Sequence, residues 1–234
     1  MLWAALVLGA LSAPAASAPA PPLILEPPRG AGDTLAILYS GDGGWAAADS
    51  GIARALSQHG VAVVGIDSLR YFSGAPTPAQ ASEDLASIII KFGNLWERPK
   101  VVVAGYSFGA GAAPIITEGL PSPVRAKVKV VALISPLAWG SLRFSPSSWL
   151  DIAPRGAQPL PPVLASLKPT SVLCLYGDAD RASACPTFPV GLVREAPLAG
   201  GHHLVGQYRR ISDAIVQSLG CGRFPAPPEQ PGVN

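Results

Sequence analysis

The sequence is short of charge, of histidine and of cysteine. Only 17 of its 234 residues are Lys or Arg and 15 are Asp or Glu. Its basic residues, among them Arg54, Arg70, Lys91, Lys127, Lys129, Arg209 and Arg210, are scattered, which leaves no electrostatic footprint for nucleic acid. Three histidines and three cysteines nowhere fall at metal-ligand spacing, so neither a metal nor another cofactor is expected. Internal repeats and long low-complexity tracts are lacking too. What is abundant is apolar: 49% of the chain, enough to bury the core of one ordinary domain.

The N-terminal run Leu2–Leu11 is too short to span a bilayer comfortably. It precedes A-x-A sites at Ala13–Ala15 and Ala16–Ala18, although no basic residue stands before it. Residues 1–18 therefore read as an export signal, cut nearer Ala15 because Pro19 follows Ala18. Residues 19–32 form a Pro-rich lead expected to be extended or disordered, residues 33–222 one domain, and residues 223–234 a flexible tail. Export to an oxidising compartment would permit a disulfide. A bridge between Cys174, in an apolar run, and Cys185, in the loop after it, is expected, with Cys221 left over.

Between lead and tail, short β-branched runs (Leu35–Tyr39, Val61–Ile66, Val101–Ala104, Val128–Ile134, Val172–Tyr176) alternate with helical patterns. Ser50–His59 stops at Gly60, Thr77-Pro78 supplies an N-cap and a first-turn proline, and Gln207–Leu219 carries an apolar stripe. This alternation predicts a mostly parallel, doubly wound sheet in a single domain. The Ser-, Pro- and Trp-rich stretch Ala138–Lys168 fits no regular element and has the length of segments that shape or cover a site.

Gly105-Tyr106-Ser107-Phe108-Gly109 matches G-x-S-x-G. Alone the pattern is common; here a strand-like run leads in and Ala110-Gly111-Ala112-Ala113 leads out as a helix start. That is the context of the strained strand-to-helix turn that presents a nucleophilic serine in the α/β-hydrolase fold. A serine needs a base, and the base needs a carboxylate. Asp180, in Gly177-Asp178-Ala179-Asp180 at the end of a strand, is the first candidate acid and Asp178 the second. His202, in Gly200-Gly201-His202-His203, is the first candidate base and His203 the second; His59 lies near a helix end with no polar company in the sequence. The amides of Phe108 and Asp42 are the candidate oxyanion donors.

Two other classes compete with a serine hydrolase. Gly41-x-Gly43-x-x-Ala46 after a strand, with Asp67 ending the next, outlines a dinucleotide-binding oxidoreductase, although Trp45 would crowd the turn. A hydrolase-like fold can also serve as a binding module without turnover.

The strings Gly41-Asp42-Gly43-Gly44-Trp45, Gly65-Ile66-Asp67-Ser68-Leu69-Arg70-Tyr71-Phe72, Gly105–Ala110 and Gly200–His203 resemble the bacterial virulence protein family called VirJ or AcvB, over about Leu35 to Leu219. The resemblance implies an exported, periplasmic α/β-hydrolase associated with hydrolysis of aminoacyl-phosphatidylglycerol and, in some members, with virulence and type IV secretion. For such a substrate, Asp42 and Asp67 would meet the cation and Arg70 the phosphate, with Trp45 and Tyr106 as further candidate contacts. The partner expected is thus a lipid or small ester, with a membrane surface as its setting.

Overall fold

A computed structural model describes residues 20–144 and 152–220. The export signal, the tail, Cys221 and the middle of the Ser-, Pro- and Trp-rich stretch lie outside them. The elements run β1 (Leu23–Glu26), β2 (Thr34–Tyr39), α1 (Ala47–Gln58), β3 (Ala62–Ile66), α2 (Ser68–Ser73), α3 (Pro78–Leu95), β4 (Lys100–Tyr106), α4 (Phe108–Glu118), α5 (Ser122–Arg125), β5 (Val128–Ile134), β6 (Trp139–Gly140), β7 (Gln158–Pro159), α6 (Leu160–Ser166), β8 (Ser171–Gly177), β9 (Arg194–Leu198) and α7 (Tyr208–Gly220).

Among the described residues, seven strands form one sheet in the order β1-β3-β2-β4-β5-β8-β9, and β6 and β7 make a separate two-stranded ribbon. Only β1 runs antiparallel to its neighbour in the large sheet. The mostly parallel, doubly wound architecture expected from the sequence is therefore present. All five β-branched runs became strands because each is buried on both faces. In β2, Leu35, Ile37 and Tyr39 face the layer of α3, α4 and α6, whereas Ala36 and Leu38 face α1 and α7. Withdrawing a large aliphatic side chain from water in this way is worth about 1.5–3 kcal/mol.

Helix starts follow local chemistry. The Thr77 side chain accepts the Gln80 amide proton, and Pro78 fills the first turn of α3, where a missing N–H costs nothing. Helix α1 has no hydroxyl cap; Asp49 reaches back instead and accepts from the Ala46 amide at 2.9 Å. It begins at Ala47, earlier than the expected Ser50.

Three expectations need correction. The Ser-, Pro- and Trp-rich stretch, expected to fit no regular element, contains β6, β7 and helix α6, whose prolines stand in its first turn, where proline is compatible with a helix. The Pro-rich lead is not wholly irregular, since Leu23–Glu26 adds an edge strand to β3, a position where flanking prolines are tolerated. His59 does have polar company: its Nε2 lies 2.8 Å from the Asp213 carboxylate, which ties the end of α1 to α7.

Cys174 and Cys185 are joined in a disulfide closing 11 residues of chain. The closed loop contains Asp180. Constraining a loop of this length contributes roughly 3 kcal/mol. Urea unfolding of the oxidised protein against a Cys174→Ala/Cys185→Ala variant should show that loss. Coincident transitions would mean that the bridge adds nothing.

Candidate active site

Strand β4 delivers Ser107 to the C-terminal edge of the sheet, and α4 starts at the next residue. Ser107 takes φ 51°, a left-handed conformation costly for a residue with a Cβ. The surroundings hold it there. A Cβ on Gly105 would overlap the Gly109 carbonyl, and one on Gly109 would overlap the Tyr39 carbonyl at the end of β2. Both flanking glycines are thus demanded by backbone packed on backbone, and the strain projects the hydroxyl out of the turn.

Three side chains from distant parts of the sequence meet there. The Ser107 hydroxyl lies 2.9 Å from Nε2 of His202, and Nδ1 of the same ring lies 3.0 Å from the Asp180 carboxylate. Asp180 is 3% exposed at its side chain and His202 29%, so the acid is shielded and the imidazole edge reaches solvent. The second Asp180 oxygen accepts the Ala182 amide proton at 3.1 Å, which fixes the carboxylate plane. A carboxylate bound to one ring nitrogen leaves the other free to take a proton.

The second-choice residues take different places. Asp178 accepts the Gly200 amide proton at 3.0 Å and so ties the acid turn to the histidine loop. His203 turns its Nδ1 to the Tyr106 hydroxyl at 3.0 Å, away from Ser107. Burial raises the pKa of that tyrosine above its usual value, so Tyr106 stays a neutral phenol in the cleft wall.

Asp42, Ser107 and Phe108 line one small recess beside Trp139–Ser141. It is where an oxyanion would sit if the Phe108 and Asp42 amides were its donors. The first helical amide, Phe108, has no acceptor one turn behind it.

None of Trp45, Asp67 and Arg70 lines the cleft, although the Asp67 carboxylate packs against Gly44 of its wall. The Trp45 ring occupies the space that a Cβ on Gly65 would need, and its indole donates to the Ser50 hydroxyl at 2.9 Å. Asp67 caps α2 by accepting the Arg70 amide proton at 3.1 Å. The exposed Arg70 side chain stands on that helix at the end of β3, beyond β2 from the nucleophile. An aspartate followed by a helical turn satisfies its own backbone, which is why a motif that reads as charged recognition became a cap. The same facts weigh against a dinucleotide site. The first turn of α1, where a pyrophosphate would bind, holds the Asp49 carboxylate.

The sequence pointed to neither Ser135 nor Asp49. Ser135, fully buried at the end of β5 with φ 51°, donates its hydroxyl to the His202 carbonyl at 3.0 Å. Asp49 is 1% exposed and sits in the wall of the main cleft, about 560 Å³, with Asp42, Tyr106, Ser107, His202 and His203. Burial pushes its carboxyl up from 3.8 to about 6, against the opposing pull of the Ala46, Asp49 and Gly41 amides.

A carboxyl whose pKa rises on folding stabilises the fold only while protonated. Its contribution is complete below about pH 4 and lost as the pH climbs through about 6. At neutral pH the ionised group costs about 3 kcal/mol. Asp49→Asn should therefore be the more stable protein at pH 7.5 by up to that amount and no more stable at pH 4. Chemical unfolding at both values checks this, and a variant less stable at pH 7.5 would contradict it.

Among the described residues no group of three or more His, Cys, Asp or Glu could hold a metal, and no helix is long and apolar enough to cross a membrane.

No curated protein matches this chain by sequence. Solved structures similar in fold include Est1E from Butyrivibrio proteoclasticus, at 15% identity and a TM-score of 0.59, covering 85% of this chain and 94% of that one. A proline iminopeptidase from Mycobacterium smegmatis is 14% identical with a TM-score of 0.61, over 84% and 93% of the two chains. The esterase domain of a Rhodothermus marinus protein is 16% identical with a TM-score of 0.57, over 82% and 88%. At these identities the likeness establishes the fold, that of the α/β-hydrolases. The family model described as bacterial virulence protein (VirJ) matches residues 33–222. With an α/β-hydrolase fold and a family match spanning nearly all of the described chain, the protein belongs to the VirJ family of bacterial virulence proteins.

Proposed function

We propose that the protein is an exported serine hydrolase acting on esters, with the aminoacyl ester of aminoacyl-phosphatidylglycerol as its substrate. The observation that carries the reading is the unbroken relay from Ser107 through His202 to Asp180, at 2.9 and 3.0 Å. In this scheme His202 Nε2 takes the hydroxyl proton as Ser107 Oγ attacks the ester carbonyl, and Asp180 stabilises the resulting imidazolium. The Phe108 and Asp42 amides receive the oxyanion. Collapse of the tetrahedral intermediate breaks the bond to the alcohol oxygen, which leaves with the proton held by His202. Water, deprotonated by the same ring, then cleaves the acyl-enzyme and restores Ser107.

The aminoacyl lipid is supported by the VirJ resemblance and by a cleft wall that, among the described residues, contains two carboxylates and neither lysine nor arginine. Export to the periplasm is supported by the N-terminal apolar run and by the Cys174–Cys185 bridge. The complete relay disfavours the alternative of a module that assists virulence or type IV secretion without turnover.

The test pairs a fluorophosphonate probe with the lipid. Wild-type protein should label at Ser107 and release free amino acid from aminoacyl-phosphatidylglycerol in mixed micelles, with Ser107→Ala inert in both assays. No labelling would favour the binding module. Labelling with turnover of neutral esters alone would leave a hydrolase and remove the lipid.

A further inference from the structure

Asp49 is the residue whose local role leaves most unexplained. Its Oδ2 holds the Ala46 amide, a useful but modest helix-start contact. Its Oδ1 is buried and makes no hydrogen bond of good geometry, with only the Gly41 amide and its own near enough to act on the carboxylate, although a buried acceptor is ordinarily satisfied. The neighbouring wall makes matters worse: Asp42 lines the same cleft, and the Asp67 charge acts on Asp49 from the end of β3. Tyr106, His202 and His203 complete that side. Among the described residues, no side chain of fixed positive charge lines the cleft. A protein that needed only a helix cap would do better with serine or asparagine, which add no buried charge.

We propose that Asp49 is the cation anchor of the cleft, its carboxylate binding the ammonium group of an ester substrate whose carbonyl lies at Ser107. This rests on the ester-hydrolase reading and assigns selectivity to one residue. The missing partner is supplied by the substrate. An α-ammonium stands one carbon from the scissile carbonyl, so an anchor in the wall that also contains Ser107 would bind the charge and set the carbonyl in place together. An ammonium paired with a carboxylate away from water forms a charge-assisted hydrogen bond, stronger than a neutral one. A neutral acyl chain would leave Asp49 unpaired, so the same carboxylate selects against it.

The experiment compares L-alanyl and propionyl esters of one alcohol, which differ only by the ammonium. In Asp49→Asn, which keeps the shape and an oxygen for the Ala46 amide, the alanyl-to-propionyl ratio of kcat/KM should fall roughly ten- to a hundred-fold. An unchanged ratio overturns the proposal, whether or not overall activity drops. A fall in the ratio for Asp42→Asn but not for Asp49→Asn would overturn it as well, by moving the cation to Asp42.

Binding decides the matter independently of turnover. Titration of Ser107→Ala protein with alaninamide should show affinity at least ten-fold greater than in the Ser107→Ala/Asp49→Asn protein, and propionamide should not distinguish the two. Failure of alaninamide to discriminate would overturn the anchor. Discrimination without ester cleavage by the wild type would keep the anchor and refute the hydrolase.

Discussion

Ser107→Ala should lose about 10⁴- to 10⁶-fold in kcat towards any ester the wild type cleaves, with the fold intact. The size follows from the relay: without Oγ neither His202 nor Asp180 has a proton to move, and only binding and the oxyanion donors remain. Residue 107 already carries a Cβ at φ 51°, so alanine adds no bulk and no new strain. His202→Ala should cost as much, and Ser107→Ala/His202→Ala no more than either alone, because groups that act as one unit do not add. His203→Ala should cost distinctly less, since its ring nitrogen faces Tyr106. Steady-state kinetics with a neutral chromogenic ester measure all four. Additive losses, or His203→Ala more damaging than His202→Ala, would break the assignment of the base.

Gly177→Ala should be among the most damaging single methyl additions near the site. Gly177 ends β8, and a Cβ there would overlap the Gly200 carbonyl oxygen in the loop that carries His202. Both sides are backbone, so no side chain can swing aside. The two segments are further knit by Ala179 N–H to Gly200 O at 2.9 Å and by Asp178 N–H to Leu198 O at 2.8 Å. Moving the histidine loop to admit the methyl would pull His202 from Ser107 or from Asp180. The expected outcome is about 1–3 kcal/mol of lost stability and roughly 100-fold lower kcat. Gly201→Ala, whose Cβ would meet nothing within 4 Å, is the control and should be mild. Equal behaviour of the two variants in melting and turnover would show that the close approach at Gly177 is unimportant.

Much of the architecture was legible because it rests on composition along a line. Strands β2, β3, β4, β5 and β8 are runs of apolar residues buried on both faces, and burial on both faces is written as an uninterrupted run. The edge strands were not legible. Strand β9 reads Arg-Glu-Ala-Pro-Leu, a pattern that only an edge tolerates, and β1 has four residues among prolines. Helix α6 was hidden by Pro161 and Pro162, which sit in its first turn, where proline is compatible with a helix.

The elbow and the order serine, acid, histidine are properties of the sequence itself: each lies where a strand or a tight loop ends, and such ends gather at one edge of a parallel sheet. The pairing of Cys174 with Cys185 was readable for a similar reason, a strand and the loop directly after it. Tertiary structure alone decided which of two neighbouring histidines turns towards Ser107. It also placed Trp45 over Gly65. The same holds for Asp49, an ordinary first-turn acid by sequence, whose burial and unpaired oxygen arise only when α1 packs on β3 and α7. Periodicity and turn chemistry act between residues near in the chain, so a sequence displays them. Burial, orientation and the loss of a hydrogen-bond partner depend on which distant segments close over a group, and those exist only in the folded chain.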